Sequence, residues 1–384
     1  MNLRAAKTMG FFLVSLMFLP VLSFSRGETP WPSGPGSVSE IAAMHIARAS
    51  QSSTLLPNGK VLIAGGFAGS GGEYNPYRTT ELYDPGSGTF EFAASMSIGR
   101  SGHTATLLKN GKVLMVGGWT GRYDIRRSAE LYDPAMNTFA PTGNLVVERA
   151  GGTATLLADG RVLIAGGEDR EENALASAEI YDPATGKFTL TGSMVAPRGA
   201  HTATALEDGR VLIVGGGSGH YPSQNVYRSA EIYDPAAGKF ILTGDMSVGR
   251  HKHATILLLS GKVLIVGGSD NHDWHGEYAS AEIYDPASGT FRGTGAMSTP
   301  RFKLPAAVAL LPNGKVLVAG GGPFAELYDE ASGLFTKVPG SLGAARFFAS
   351  VVSLPGGKAL ITGGYAETGG NLPATSVAWL YQPR

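Results

Sequence analysis

Seven arginines recur along the chain, at Arg48, Arg100, Arg149, Arg198, Arg250, Arg301 and Arg346. A glutamate recurs with them, two residues before a tyrosine, at Glu81, Glu130, Glu179, Glu231, Glu282 and Glu326. A repeated cation beside a repeated acid reads as an architectural ion pair, because a buried charge needs a partner. Trp379 stands where the seventh glutamate should be, so Arg346 is expected to be freer than the other six. Three residues after the arginines come Gln51, His103, Gly152, His201, His253, Leu304 and Ala349. Three imidazoles brought together would suit a metal. These come from separate units, however, and chelation needs fixed ligand distances, so the reading is a polar lining with no metal and no cofactor.

The densest group of ligand-type residues is Asp270, His272, Asp273, His275 and Glu277. Its spacing matches no motif with a known mechanism, and a solvated loop is expected. Aromatic residues at Tyr74, Tyr77, Trp119, Tyr123, Tyr221, Tyr227, Trp274, Tyr278 and Tyr365 are mixed with Asn, Asp and Arg. Aromatic faces beside hydrogen-bonding groups suit sugar rings and protein hot spots equally.

The elements that position these residues are repeats. Glycine pairs begin at Gly65, Gly117, Gly166, Gly215, Gly267, Gly320 and Gly363, a period near fifty. A Tyr-Asp-Pro or its remnant follows each pair, at Tyr83, Tyr132, Tyr181, Tyr233, Tyr284, Tyr328 and Tyr381. The 55 glycines and 22 prolines therefore punctuate strands rather than mark low complexity. A glycine doublet closing a β-type run at this period is the signature of the kelch family, which the chain resembles along almost its whole length after the leader. The resemblance implies an all-β fold, a seven-bladed β-propeller of kelch repeats with four-stranded blades. It also implies that an arginine before each innermost strand lies at the channel mouth and contacts acidic or polar ligands. The candidate ligand contacts are thus Arg48, Arg100, His103, Arg149, Arg198, His201, Arg250, His253, Arg301, Arg346, Trp119 and Trp274.

Within a unit, an HTATLL-like strand ends in a turn such as Asn110-Gly111 or Asp159-Gly160, a strong hairpin signal. The KVLIVGG-like run that follows is continuously apolar, as a strand covered on both faces must be. AELYDP and a strand beginning at Phe90 or its equivalents complete the unit. The last unit stops at AWLYQPR, its third strand, and GSVSEIAAM at residues 36–44 aligns with GTFEFAASM at residues 88–96. The N-terminal strand is therefore predicted to complete the last blade, with Val38 in the place of Phe90, which removes the free edges of an open ring. Loops after the second strand vary most among units and fall on the same face as the arginines; variable loops on a rigid scaffold are where binding usually resides.

Residues 1–25 carry Arg4 and Lys7, an apolar run from Phe11 to Leu22, and small residues Ser23 and Ser25, the three parts of a secretory signal peptide. Cleavage after Ser25 is expected, leaving the Pro-rich linker 26–35 and a propeller over 36–384, secreted or periplasmic. Twelve apolar residues broken by Pro20 are short of the roughly 20 that span a bilayer, so the mature chain is expected to have no membrane span. Zero formal net charge removes the electrostatic term that nucleic-acid binding needs. The expected partner is a protein or a carbohydrate, and the expected state a monomer.

Residues 47–66, ARASQSSTLLPNGKVLIAGG, also resemble the central propeller of the galactose oxidase and glyoxal oxidase family. That family's copper site implies a tyrosine cross-linked to cysteine, and this chain has no cysteine, so copper radical chemistry is not expected. The sialic-acid mutarotases, also kelch propellers with a signal peptide, imply a carbohydrate-active alternative. That chemistry would need an acid or base near the arginines, and the sequence singles none out.

Overall fold

Seven four-stranded antiparallel sheets form in a computed structural model of the chain. It describes residues 34–68, 75–122, 124–219, 224–272, 275–366 and 372–384. The leader, most of the linker, and Tyr74, Tyr123, Tyr221, Asp273 and Trp274 lie outside the described residues. Among those described there is no α-helix, a short 3₁₀ turn stands at Pro355–Gly357, and no helix is long and apolar enough to cross a membrane.

The first strands of the seven blades are Ser52–Leu55, Thr104–Leu107, Thr153–Leu156, Thr202–Ala205, Ala254–Leu257, Val308–Leu310 and Ser350–Ser353. Each meets the first strands of both neighbours, and the last meets the first, so these strands form the inner wall of a closed seven-bladed propeller. Second strands such as Val61–Ala64 and Val211–Val214 are buried at every residue, as their unbroken apolar runs require. In outer strands such as Thr89–Phe92 and Lys187–Leu190 only the phenylalanine after the first residue is buried. That phenylalanine sits opposite the tyrosine of the third strand: Phe90 faces Tyr83 with ring centres 4.9 Å apart. In four blades the tyrosine hydroxyl also reaches back one blade to a threonine, for example Thr191 to Tyr233 at 2.8 Å.

The ring closes as the repeat register requires. Ser37–Glu40 pairs with Ala378–Gln382 as the outer strand of the last blade, and Val38 stands opposite Tyr381 as Phe90 stands opposite Tyr83. The glycine doublets hold neighbouring blades together. Gly65 and Gly66 have φ of 66° and 88°, in the left-handed region, and the Gly66 amide donates to the Arg100 carbonyl of the next blade at 2.8 Å. A Cβ on Gly65 would stand 2.3 Å from that carbonyl oxygen. The same bond recurs at every joint, ending with Gly364 donating to Arg48 at 2.9 Å.

The variable loops contain two short ribbons that the repeat pattern does not announce, Trp119–Gly121 with Asp124–Ile125 and Gly217–Ser218 with Asn225–Val226. Both start immediately after a glycine doublet, where a bridge to the residue following the arginine (Ser101 to Trp119, Gly199 to Gly217) fixes the backbone.

Candidate functional site

Each arginine precedes a first strand and each glycine doublet follows the adjacent second strand, so antiparallel pairing puts both at one end of the propeller. Arg48, Arg100, Arg149, Arg198, Arg250 and Arg301 are buried there. Each reaches the glutamate of its own blade, with N to O distances between 2.7 Å (Arg301 to Glu326) and 3.3 Å (Arg100 to Glu130). Each also donates to the carbonyl of its blade's first doublet glycine, as Arg198 Nη1 does to Gly215 at 2.7 Å. The glutamates have a second duty. Glu179 accepts the amides of Val146 and Val147 at 2.7 and 2.9 Å, and Glu231 those of Val195 and Ala196. Arginine and glutamate together therefore clamp the crossover by which the chain passes from one blade to the next.

Three of the loop aromatics cover this clamp. The rings of Tyr77, Tyr227 and Tyr278 lie 5.7, 5.1 and 5.1 Å from the guanidinium carbons of Arg48, Arg198 and Arg250, and Phe324 does the same for Arg301 at 5.1 Å. Burial lowers the pKa of Arg48, Arg100, Arg149, Arg250 and Arg301, and the paired glutamates act in the opposite direction. Such a drop from so high a starting value leaves the guanidinium charged.

The seventh blade differs. Arg346 is half-buried, its Nε donates to the Leu342 carbonyl at 3.0 Å, and its guanidinium carbon stands 5.4 Å from the ring centre of Trp379. Trp379 faces Ile361 across the sheet as Glu81 faces Ile63, so it occupies the glutamate's register. It is fully buried, and its indole Nε1 has no hydrogen-bond partner.

The expected polar channel lining by histidines is corrected. His103, His201 and His253 are buried between blades, each Nε2 meeting a hydroxyl of the preceding first strand: Ser52 at 2.9 Å, Thr153 at 3.1 Å and Thr202 at 2.9 Å. Gln51, in the same position of the first blade, donates to the Thr362 carbonyl at 2.9 Å. Burial, reinforced by the neighbouring arginine, pushes the pKa of His103 and His201 down to about 3 and that of His253 well below its usual value. These imidazoles are neutral joints between blades.

In the loop cluster, Asp270 meets His272 Nδ1 at 3.1 Å on the exposed surface. Among the described residues no group of three or more His, Asp or Glu is placed to hold a metal.

The channel mouth at this end is drawn tight by backbone. The residue two after each arginine has positive φ: Ser50, Gly102, Gly151, Ala200, Lys252, Lys303 and Phe348. Their amides and carbonyls join successive blades, with Ser50 donating to Phe348, Gly102 to Ser50, Gly151 to Gly102 and Phe348 to Lys303 at 3.0 to 3.2 Å. Trp119 lies over this ring: a Cβ on Gly102 would come within 2.3 Å of its six-membered ring, and one on Gly151 within 3.1 Å. Glycine at those two positions is what admits the indole, which remains half-exposed. Toward the sixth and seventh blades, buried Lys303 donates from Nζ to the Tyr365 hydroxyl at 2.8 Å, with the Phe302 ring centre 4.8 Å away. Lys303 is not legible in the repeat pattern, because its position holds five residue types in seven repeats, Ser50, Gly102, Gly151, Ala200, Lys252, Lys303 and Phe348.

The Kelch motif profile matches residues 48–97 and the profile described as KLHDC2/KLHL20/DRC7 Kelch-repeats domain matches residues 102–321, more than half of the chain. None of the curated proteins matches the sequence. Among solved structures, the chain is similar to a fungal alcohol oxidase of the AA5 family in complex with copper, at 16% identity and a TM-score of 0.69, over 91% of this chain and 76% of that one. It is also similar to YjhT, at 14% identity and a TM-score of 0.55, over 64% of this chain and 84% of that one. At these identities the likeness is one of fold alone. With seven blades, recurring glycine doublets and profile matches across most of the propeller, the chain belongs to the kelch-repeat family.

Proposed function

We propose that this kelch propeller is an exported binding scaffold that meets a protein or carbohydrate ligand at the arginine end of its channel. Kelch propellers are in general interaction scaffolds. The observation that carries the reading here is Trp119, a half-exposed indole seated on two left-handed glycines of neighbouring blades at the channel mouth. A rigid aromatic face held by backbone provides contact area at little entropic cost, which suits both sugar stacking and protein hot spots. Of the twelve residues that the sequence offers as contacts, the proposal uses Trp119. An enzyme of the mutarotase type would need an acid or base beside several uncommitted cations, and six of the arginines are committed to glutamates. Export rests on the residue pattern of positions 1–25.

The test pairs a glycan array with a pull-down from the exported fraction, comparing the natural chain with Trp119→Ala. A ligand captured by the natural chain and lost by the variant is the expected result. Equal capture by both would remove the channel mouth from the reading. The N-terminal residue of the exported protein checks the cleavage, expected at Arg26.

A further inference from the structure

Six blades provide an internal control for the seventh. In each of them a glutamate carboxylate accepts the arginine guanidinium and at least one crossover amide. In the third blade the donors are Arg149 Nη2 and the amides of Val146 and Val147. Counting back from the arginine, the counterparts in the seventh blade are Arg346, Gly343 and Ala344. Trp379 has removed the acceptor and left most of the donors without one. The Gly343 amide turns to Ser341 Oγ at 3.0 Å, the Ala344 amide donates to no described residue, and the Arg346 fork is held only through Nε. The indole Nε1 of Trp379 is a further orphan donor beside them.

We propose that the seventh blade carries a binding site for a carboxylate supplied from outside the chain, with Arg346 as its principal contact and the Ala344 amide as a second donor. The chemistry is that of the other six blades with the acid moved from the protein to the ligand. A guanidinium presents parallel N–H groups that match the two oxygens of a carboxylate. The face of Trp379 supports that plane from below, and half-burial limits competition from water while leaving the fork within reach of solvent. Glu40 on the closing strand also faces Arg346 electrostatically, and it is exposed. The site shares no residue with the Trp119 platform, so either can fail without the other.

The experiment titrates the full chain with glucuronate, as a sugar acid, and separately with a peptide ending in two glutamates; glucose and inorganic sulfate serve as controls. At least one carboxylate probe is expected to bind, and Arg346→Gln should weaken it tenfold or more, with Arg346→Lys intermediate because charge survives without the fork. Which probe binds identifies the source of the carboxylate. A second variant, Trp379→Glu, should restore the internal acceptor and abolish carboxylate binding although Arg346 is intact. Should that buried substitution prevent folding, Arg346→Gln decides alone, since within the protein it removes one hydrogen bond and the stacking on Trp379 but no ion pair with a buried glutamate. The proposal is overturned if neither carboxylate probe binds, if sulfate binds as tightly as the better carboxylate, or if Arg346→Gln binds like the natural chain.

Discussion

The amide of Gly364 donates to the carbonyl of Arg48 at 2.9 Å, joining the last blade to the first with the same bond that joins every other pair of neighbours. The circle also draws one strand from the other end of the chain, Ser37–Glu40, which pairs with Ala378–Gln382. In a repeat structure each unit is stabilised chiefly by its neighbours, so the weakest joint governs the whole.

Deleting residues 26–44 should therefore lower stability well beyond the loss of one strand. It uncovers the edge of Ala378–Gln382 and removes Val38 from the cluster that contains Trp379 and Tyr381. Circular dichroism melting and light scattering are expected to show a lower transition temperature and aggregation. An unchanged melt would mean that the closing strand contributes nothing.

Arg198→Ala and Arg346→Ala should separate. The first leaves Glu231 buried with its ionic partner gone, a loss of about 3 to 5 kcal/mol. The second removes a stacked cation from Trp379, a loss of about 1 kcal/mol. Urea denaturation of the two variants measures both; equal losses would place Arg346 in a clamp like the others.

Acid should loosen the joints made by histidine. The folded-state pKa of His103 and His201 lies at about 3, below the ordinary value of 6.5, so the unfolded chain takes up the proton first. Stability is then unaffected above pH 6.5 and falls as the pH drops from there toward 3, by up to about 1.4 kcal/mol per pH unit for each histidine. His103→Gln, which copies Gln51 of the first blade, should keep the fold and flatten the dependence of stability on pH between 6 and 4. A slope identical to that of the natural chain would show that His103 is not buried neutral.

Gly65→Ala should destabilise by about 2 to 4 kcal/mol, combining a left-handed φ for a residue with a Cβ and overpacking against a neighbour. The neighbour is the Arg100 carbonyl, which belongs to the next blade and cannot swing away as a side chain could. Gly59→Ala, also at positive φ but with nothing within 4 Å of its Cβ, is the control and should cost only the backbone part. Thermal melts of the pair separate the two contributions, and equal losses would mean that the blade joint is not tight at Gly65.

The number of blades, the order of strands and the closure were all legible in the residues alone. These follow from a pattern repeated in register: the alternation of apolar runs and glycine turns defines each strand, and Val38, which aligns with Phe90 in the repeat, stands opposite Tyr381. The pairing of Arg with Glu was legible for the same reason, since both recur at fixed positions within a unit. Where these groups point depends on the folded ring. Sequence spacing cannot distinguish an arginine facing the channel from one turned into its own blade, because both lie at the start of the same strand. The difference is made by the doublet carbonyl and the glutamate that receive the guanidinium, as Gly215 and Glu231 receive Arg198. The histidines show the same limit, having the residue type of a lining but lying under a neighbouring blade. Trp119 and Lys303 sit where repeats differ from one another, and a contact that occurs once leaves no period to read. Their places at the mouth depend on which residues adjacent blades hold there: glycine at 102 and 151, which leaves space for the indole, and Tyr365 beside the lysine, which the packing of the seventh blade on the sixth brings to it.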